Sequence, residues 1–228
     1  MAQILFLVPD KNDPTCYYRA SGIAHDLKNR SGHEVDVLSW DQVPVTWQLI
    51  SNYDIIMLQR PYTEVAANLI AYAKDMNKPI WVDYDDNLFV LNPENPAHQT
   101  YNSPAVQENV KRCLRAADVV TVPVEYLKQC YQQFNRNIRV IPNAFNDDIF
   151  RRRELKKREK RVLWRGPAAH IYDMMTYGKE INKLTQEHPD HEFMFMGYYP
   201  WFFAETQNKS FIQGMDIIMY HKKILDIA

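Results

Sequence analysis

The sequence predicts an α/β fold: a doubly wound parallel, Rossmann-like sheet, followed by the start of a second Rossmann-like domain. Two observations support this fold class. Short apolar runs alternate with amphipathic segments long enough to be the helices that connect parallel strands. The first run, Ile4–Val8, is apolar throughout and ends at Pro9, which is typical of a strand buried on both faces of a sheet. The alternation resumes at residue 161, which predicts the second domain.

The elements of the first domain follow in order over residues 1–142. Ile23 and Leu27 lie four residues apart and predict a helix over residues 17–30, which Gly32 ends. Ser103 and Pro104 suit the N-cap and the first position of another helix. The other strands are predicted at residues 34–39, 53–58, 79–82, 119–122 and 138–141, and the other helices at residues 63–76, 104–117 and 124–134.

A linker and a second, incomplete domain are predicted after residue 142. Pro142 ends the last strand because its φ is fixed and it has no N–H, and the Asn and Asp residues behind it favour turns. Residues 143–160 are therefore predicted to be a hinge between two domains that face each other across a cleft. The second domain, residues 161–228, is predicted to have strands at 161–164, 192–196 and 215–219 and a helix at 171–188.

Composition limits the classes of function. The net charge of -1 gives no reason to expect nucleic acid as a partner. The basic run Arg151–Arg161 is typical of a solvated linker and is also compatible with contact to an acidic lipid surface or a nucleic-acid backbone. Cys16, Cys113 and Cys130 form no C-x-x-C pair, which favours reduced thiols and a cytoplasmic location. The apolar run Ile4–Val8 is too short to be a signal sequence or a membrane span.

Chemistry is predicted in the loops that leave the carboxyl ends of the strands, where ligands of a parallel sheet bind. The first loop lacks G-x-G-x-x-G, and its Tyr17, Tyr18 and Arg19 suit a polar ligand that contains a ring. Arg60 directly follows the third strand and either holds an anion or remains solvated. His98, in the long loop after the fourth strand, is a candidate base or a surface residue.

The loop after the fourth strand carries three carboxylates within four residues, Asp83, Asp85 and Asp86. Carboxylates this close repel one another, so a partner has to offset the cost. That partner is a cation, sugar hydroxyls, a neighbouring arginine, or water if these are simply solvated or helix-capping acids. Asp83 ends an apolar strand, and we expect it to be buried with a perturbed pKa.

Several strings, in this order and spacing, resemble the GT-B fold glycosyltransferases of the family 4 type: CYYRASGIAHDLKNRSGHEVDVL, QRPY, PIWVDYDDNLF, AADVVTVPVEYLKQC and IPNAFNDDIF. The resemblance implies an amino-terminal domain for the acceptor and a carboxyl-terminal domain for a nucleotide-sugar donor. It implies sugar transfer to a hydroxyl of a polysaccharide, glycolipid, protein or modified nucleic-acid base, with no metal or other cofactor required. The family's E-x7-E donor motif is expected beyond residue 228, so we expect a truncated donor domain.

The resemblance also implies roles for individual residues. By position, Arg165 matches the basic residue that meets the donor phosphates, and Gly166 and His170 belong to the same loop. The second basic residue of the family's pattern is absent, since Ala168 and Ala169 occupy that region with His170. The acidic loop would supply the catalytic groups, Asp83, Asp85 and Asp86. The acceptor would be bound by Tyr17, Tyr18, Arg19, Arg60 and His98.

Two other functions fit the sequence. In a GT-A-type glycosyltransferase, Asp83 and Asp85 would form a D-x-D motif that binds Mn²⁺ with the donor diphosphate. Such an enzyme needs no hinge and no second strand–loop–helix unit, and a strict Mn²⁺ requirement would identify it. A non-catalytic α/β module would bind a glycan or a partner protein without consuming any nucleotide sugar.

Overall fold

The structure is a computed structural model that describes residues 1–40, 46–144, 160–199 and 208–227. The chain divides into two compact units. The first comprises Met1–Leu91 and Thr100–Asn146, and the second comprises Asn92–Gln99 and Asp147–Ala228. Within the described ranges, every helix is too short or too polar to cross a lipid bilayer.

A six-stranded parallel sheet forms the first unit, with the strand order β2-β1-β3-β4-β5-β6. The chain moves from β1 to β2 in one direction and from β3 to β6 in the other, so the order reverses between β1 and β3. The predicted Rossmann-like sheet is thereby confirmed, and its switch point marks where ligands of such sheets bind. The strands are β1 (Gln3–Val8), β2 (Glu34–Ser39), β3 (Ile55–Gln59), β4 (Ile80–Asp83), β5 (Val119–Val122) and β6 (Ile138–Val140).

Helices cover both faces of this sheet. Phe6 and Met57 pack on one face with Ala24 of α2, while Leu5 and Leu58 pack on the other with α4, α6 and α7. Two buried clusters separated by the sheet explain why its central strands β1 and β3 are almost entirely apolar. The helices of this unit are α1 (Pro14–Cys16), α2 (Gly22–Ser31), α3 (Trp47–Ser51), α4 (Glu64–Asp75), α6 (Pro104–Ala116) and α7 (Glu125–Tyr131), and α5 (His98–Tyr101) crosses the division between the units, which falls between Gln99 and Thr100.

The second unit contains a three-stranded parallel sheet in the order β7-β8-β9. Its core is small, with Met174, Phe193 and Phe195 buried together against Trp164 and Ile181. The strands are β7 (Arg161–Arg165), β8 (Glu192–Gly197) and β9 (Lys209–Gln213), and the helices are α8 (Ile171–Thr176), α9 (Gly178–Glu187) and α10 (Ile217–Ile227).

Two predictions for the second unit were wrong. Residues 171–188 form two helices, because Tyr177 leaves the helical region of backbone space (φ -104, ψ 10). The strand predicted at 215–219 is instead the start of α10. Asp216 caps that helix, since its Oδ1 accepts hydrogen bonds from the N–H groups of Ile218 (3.1 Å) and Met219 (3.0 Å). A short apolar run does not distinguish strand from helix by periodicity.

The predicted linker falls largely outside the described residues, since residues 145–159 and most of the basic run Arg151–Arg161 lie there. The domain boundaries and the cleft therefore stay predictions.

We expect Gly197→Ala to destabilise the second unit by about 3 kcal/mol. Gly197 ends β8 with φ 96, and a Cβ there would lie 2.7 Å from the carbonyl oxygen of Gly166. Gly32→Ala is the control, because Gly32 also has a positive φ (65) but has open space around it, so only about 1 kcal/mol of strain is expected. Urea denaturation, followed with amide hydrogen exchange in β8 for Gly197→Ala and in β2 for Gly32→Ala, measures the two costs. Equal costs for the two variants would contradict the proposed close contact.

Candidate functional site

A π-helical turn, Tyr17–Ser21, carries the predicted residues of the first loop. The N–H of Gly22 bonds to the carbonyl of Tyr17, and a Cβ at Gly22 would lie 2.7 Å from that oxygen. Glycine therefore permits the wider turn, a backbone feature that is frequent at functional sites. The turn directs Arg19 into the protein at the carboxyl edge of the sheet, where β4 ends at Asp83.

Arg19 and Asp83 form a buried ion pair, with 1% and 0% of their side chains exposed. The Nε of Arg19 donates to Oδ1 of Asp83 (3.0 Å), and its second terminal nitrogen donates to Oδ2 (2.5 Å). The hydroxyl of Thr121, next to Asp83 in register, also donates to Oδ2. Burial raises the pKa of the Asp83 carboxyl, while Arg19 and then Thr121 oppose that rise. Asp83 is thus buried with a perturbed pKa, as its place at the end of an apolar strand predicts.

The remaining terminal nitrogen of Arg19 reaches the chain that follows β6. It donates to the carbonyl of Ile141 (2.6 Å) and to Oδ1 of Asn143 (3.1 Å). One guanidinium therefore joins the loop after β1, the end of β4 and the segment after β6. A ligand cannot reach the side chains of Arg19 and Asp83 in this conformation. Their role is therefore to hold neighbouring groups in position.

Arg60 is the centre of a second, more accessible cluster. Its Nε and a terminal nitrogen bind Asp85 at 3.0 and 2.7 Å, and both side chains are largely buried. Asp13 (3.7 Å) and Asp86 (3.5 Å) also approach the guanidinium. Three carboxylates around one arginine leave an excess of negative charge. Asp86 is 58% exposed, so it is the predicted catalytic carboxylate that a ligand can reach most easily.

The backbone of Arg60 is strained, with a φ of 47 that is rare for a large side chain. Its N–H donates to the main-chain carbonyl of Asp83 (2.7 Å), which stabilises this conformation together with the Asp85 ion pair. Strain of this kind persists only where surrounding contacts impose it, and it is concentrated at functional sites. Two carboxylates of the acidic loop therefore have arginine partners: Asp83 forms an ion pair with Arg19, and Asp85 forms one with Arg60.

Asp83 and Asp85 do not present a shared metal site in this conformation. Each carboxylate is committed to a different arginine, and Asp83 has no exposed surface. The D-x-D alternative would require both pairs to break.

Tyr17 and Tyr18 lie in edge contact, with ring centroids 5.4 Å apart. They line a cavity of about 110 Å³ together with Asp26 and the segment that begins at Ile141. His98 belongs to the other unit, so its predicted role in acceptor binding stays a prediction.

Glycine residues lie at the carboxyl end of each strand of the second sheet. Gly166 follows β7, Gly197 ends β8 and Gly214 follows β9. Their backbones pack closely, since a Cβ at Gly214 would lie 3.6 Å from the Cα of Gly197. The glycines permit this close packing of the three strand ends, and the space that a Cβ would take at Gly166 is occupied by the side chains of Trp164 and His170.

Arg165 lies beside this edge with its guanidinium 4.9 Å from the centre of the Tyr220 ring. The neighbouring His221 is buried, and burial followed by the charge of Arg165 lowers its pKa, so its imidazole is neutral at pH 7. His170 contacts Asp173, its Nδ1 lying 3.0 Å from Oδ2 on an exposed surface. This edge therefore offers the Arg165 cation, which suits an anionic ligand, while His221 lies buried behind it.

Four further residues of these sites were missed at the level of sequence. Tyr220 and His221 lie on α10, whose first residues were predicted to be the end of a strand at 215–219, so no pattern in the sequence indicated them. Asp26 follows Gly22 by one helical turn, which could have placed it beside the predicted tyrosines. Gln59 is a polar end to an apolar strand, and its buried Oε1 lacks a hydrogen-bond partner among the described residues.

No protein-family model and no curated protein matches the sequence. Among solved structures, the chain is similar to an α-glucosyltransferase in complex with UDP and a 13-mer DNA containing a central A:G mismatch, with a TM-score of 0.51 and 14% identity. The match covers 86% of this chain and 56% of that one. A glycotransferase of kitacinnamycin matches with a TM-score of 0.49 and 12% identity, over 92% of this chain and 70% of that one.

These comparisons establish the fold. The similarity to the α-glucosyltransferase supports the Rossmann-like α/β fold of this chain, and the chain spans about half of that structure's length. The second match is too weak to add to this, and so is a match to the C-domain of LpoA from Haemophilus influenzae, a regulator of PBP1A, at a TM-score of 0.28. That match has 16% identity and covers 86% of this chain and 65% of that one. The family 4 assignment stays a prediction.

We expect Asp83→Ala to lower the free energy of unfolding by about 3–5 kcal/mol, because it leaves the buried charge of Arg19 without its partner. Asp86→Ala removes a carboxylate three residues away that is mostly exposed, and should change stability by at most about 0.5 kcal/mol. Urea denaturation of both variants checks the difference. A small loss in Asp83→Ala would show that the pair is not needed to hold this edge.

The second unit should lose stability as the pH falls below about 6.5, where His221 becomes protonated in the unfolded chain. Its lowered pKa means that the folded unit binds this proton less readily, so the stabilisation is complete above that pH and declines below it. Hydrogen exchange in β8 at pH 5 and pH 7 measures the effect, up to about 1.4 kcal/mol per pH unit. His221→Gln should reduce the pH dependence in the second unit but leave that of β1 and β3 unchanged. An identical pH dependence in β8 of the variant would contradict the assignment.

Proposed function

We propose that this protein transfers a sugar from a nucleotide-sugar donor to an acceptor hydroxyl, as a glycosyltransferase. The observation that carries the proposal is Arg165. Its guanidinium packs on the ring of Tyr220, and no carboxylate of the described residues pairs with it. A cation held in place at the carboxyl edge of a parallel sheet suits the diphosphate of a nucleotide sugar.

The donor unit would act on the leaving group. As the bond to the sugar breaks, negative charge accumulates on the departing nucleoside diphosphate, and Arg165 would stabilise that charge through charge-assisted hydrogen bonds. Gly166 and His170, which belong to the loop after β7, would lie beside the diphosphate. The similarity to a structure that binds UDP supports this choice of donor class.

The acceptor would bind to the first unit. Tyr17, Tyr18 and Asp26 combine aromatic rings with a carboxylate, and such a surface suits a sugar or another hydroxyl-bearing ligand. Asp86 and Asp85 would orient the acceptor hydroxyl.

The arginine contacts would then support this surface, and Arg19, which is buried, would not touch the acceptor in this conformation. The Arg19–Asp83 pair holds the loop after β1, the end of β4 and the segment after β6 together, and Arg60 fixes the position of Asp85. No metal ion is part of the proposed transfer, because Arg165 supplies the positive charge and the D-x-D carboxylates are paired with arginines. The acceptor classes remain those that the resemblance implies: polysaccharide, glycolipid, protein or modified nucleic-acid base.

We propose a cytoplasmic location on the state of the cysteines. Cys16, Cys113 and Cys130 are all free thiols, and two of them are buried. Proteins of oxidising compartments more often pair their cysteines. The family 4 type is part of the same proposal and is supported by the order and spacing of the resembling strings.

Arg165→Ala should weaken the binding of UDP by about 10- to 100-fold, the usual effect of losing hydrogen bonds to a charged group. Arg161→Ala is the matched control, since Arg161 begins the same strand at its opposite end and pairs with Glu192. Isothermal titration calorimetry with UDP measures both affinities, and release of UDP from a panel of UDP-sugars with hydroxyl acceptors measures transfer. Unchanged UDP affinity in Arg165→Ala would overturn the donor site. Binding without turnover of any UDP-sugar would favour a non-catalytic module.

A further inference from the structure

We propose that His188, Asp190 and His191 form a binding site for a transition-metal ion of the Zn²⁺ class. One ligand atom from each of the three side chains lies within 4.8 Å of the others. Imidazole nitrogen and carboxylate oxygen are both common zinc ligands. Among the residues that the structure describes, this is the group of histidine, cysteine and acidic side chains that approaches closely enough to share one ion.

The turn that carries these ligands is held in place before any ion binds. The side-chain amide of Asn208 donates to the carbonyl oxygens of Thr185 (3.0 Å), His188 (3.2 Å) and His191 (3.1 Å). The N–H of His191 also donates to the carbonyl of His188 (3.1 Å). Both histidine backbones are therefore fixed, and binding costs less conformational entropy than in a flexible loop.

The side chains need only small rotations to converge. The rings of His188 and His191 lie 5.3 Å apart, and Nδ1 of His191 lies 3.0 Å from Oδ1 of Asp190. Zinc ligands lie at about 2.0–2.2 Å from the metal, so the ligand atoms of a tetrahedral site are about 3.4 Å apart. Moving from 4.8 Å to that separation takes about 1 Å of side-chain movement, which exposed side chains can make without a change in the backbone.

One competing contact is present. The ammonium group of Lys160 bonds to Oδ2 of Asp190 on the surface. A metal ion that takes Asp190 as a ligand has to share or displace this contact, so removal of Lys160 should strengthen binding. Beside the turn, a groove of about 410 Å³ is lined by Asp190, His191 and Asn208, which leaves space for water at a fourth coordination position.

The chemistry of the ligands sets the class of ion. Two imidazoles and one carboxylate favour Zn²⁺, Ni²⁺ or Cu²⁺ over Mg²⁺ and Ca²⁺, which prefer oxygen ligands. The site precedes β8, at the amino ends of the strands, whereas Arg165 and Gly197 lie at their carboxyl ends. This metal would therefore tie α9 to β8 and would take no part in the proposed transfer.

Calorimetric titration of ZnCl₂ into the full chain, prepared without a histidine tag, tests the proposal. We expect one saturable site whose affinity falls at least 10-fold in His188→Ala and in His191→Ala, and no binding of Mg²⁺ at the same concentrations. His25→Ala is the matched control: its ring lies 3.6 Å from Asp26, which gives a histidine–carboxylate pair outside the three-residue group. It should bind zinc as the wild type does.

Lys160→Ala and Asp190→Asn complete the test, because both residues are exposed and both substitutions should leave the fold intact. The first should increase zinc affinity and the second should reduce it, while circular dichroism confirms that each variant is folded. Zinc binding that is equal in the wild type, His188→Ala and His191→Ala would overturn the site. An equal loss in His25→Ala would do the same, since it would show that binding is distributed over surface histidines.

Discussion

The carboxyl edge of the first sheet depends on one ion pair that is buried beneath it. Arg19 and Asp83 exclude water from their contact, and Thr121, Ile141 and Asn143 satisfy the remaining hydrogen bonds. Burying two charges is costly, so such a pair contributes less to net stability than to the uniqueness of the arrangement. Here it joins three separate segments of the chain. The accessible cluster around Arg60 depends on this pair, because the main-chain carbonyl of Asp83 accepts a hydrogen bond from the N–H of Arg60.

The two units share a design in which their strands end at chemically distinct edges. In the first unit, aromatic rings and an excess of carboxylates surround the switch point of the sheet. In the second unit, the corresponding edge carries Arg165 and three closely packed glycines. Under the proposed function, these opposite charges would suit an acceptor hydroxyl that loses a proton and a leaving diphosphate that gains negative charge.

Much of the first unit could be predicted from the sequence because its central strands are buried on both faces and its edge strand β2 alternates polar and apolar residues. β2 and β5 were located to the residue, and Thr63 and Ser103 marked the beginnings of α4 and α6. The second unit was harder, since β9 is only partly buried and α10 begins with an apolar run that lacks a clear period. The partners of the ion pairs were the hardest feature to predict from the sequence. That Asp83 belongs to Arg19 and Asp85 to Arg60 depends on strand order and on a π-helical turn, and spacing along the chain encodes neither.

The π-helical turn at Tyr17–Ser21 has a consequence for how this edge can vary among related chains. Such a turn is equivalent to an α-helix with one residue inserted, and each residue turns an α-helix by about 100°. Loss of one residue between Cys16 and Gly22 would restore a regular helix and rotate its first turn by that angle relative to α2. Arg19 and the paired tyrosines could not then keep both of their present directions. A one-residue gap at this point in an alignment would thus mark chains whose ligand surface has been rebuilt, even where every neighbouring residue is identical.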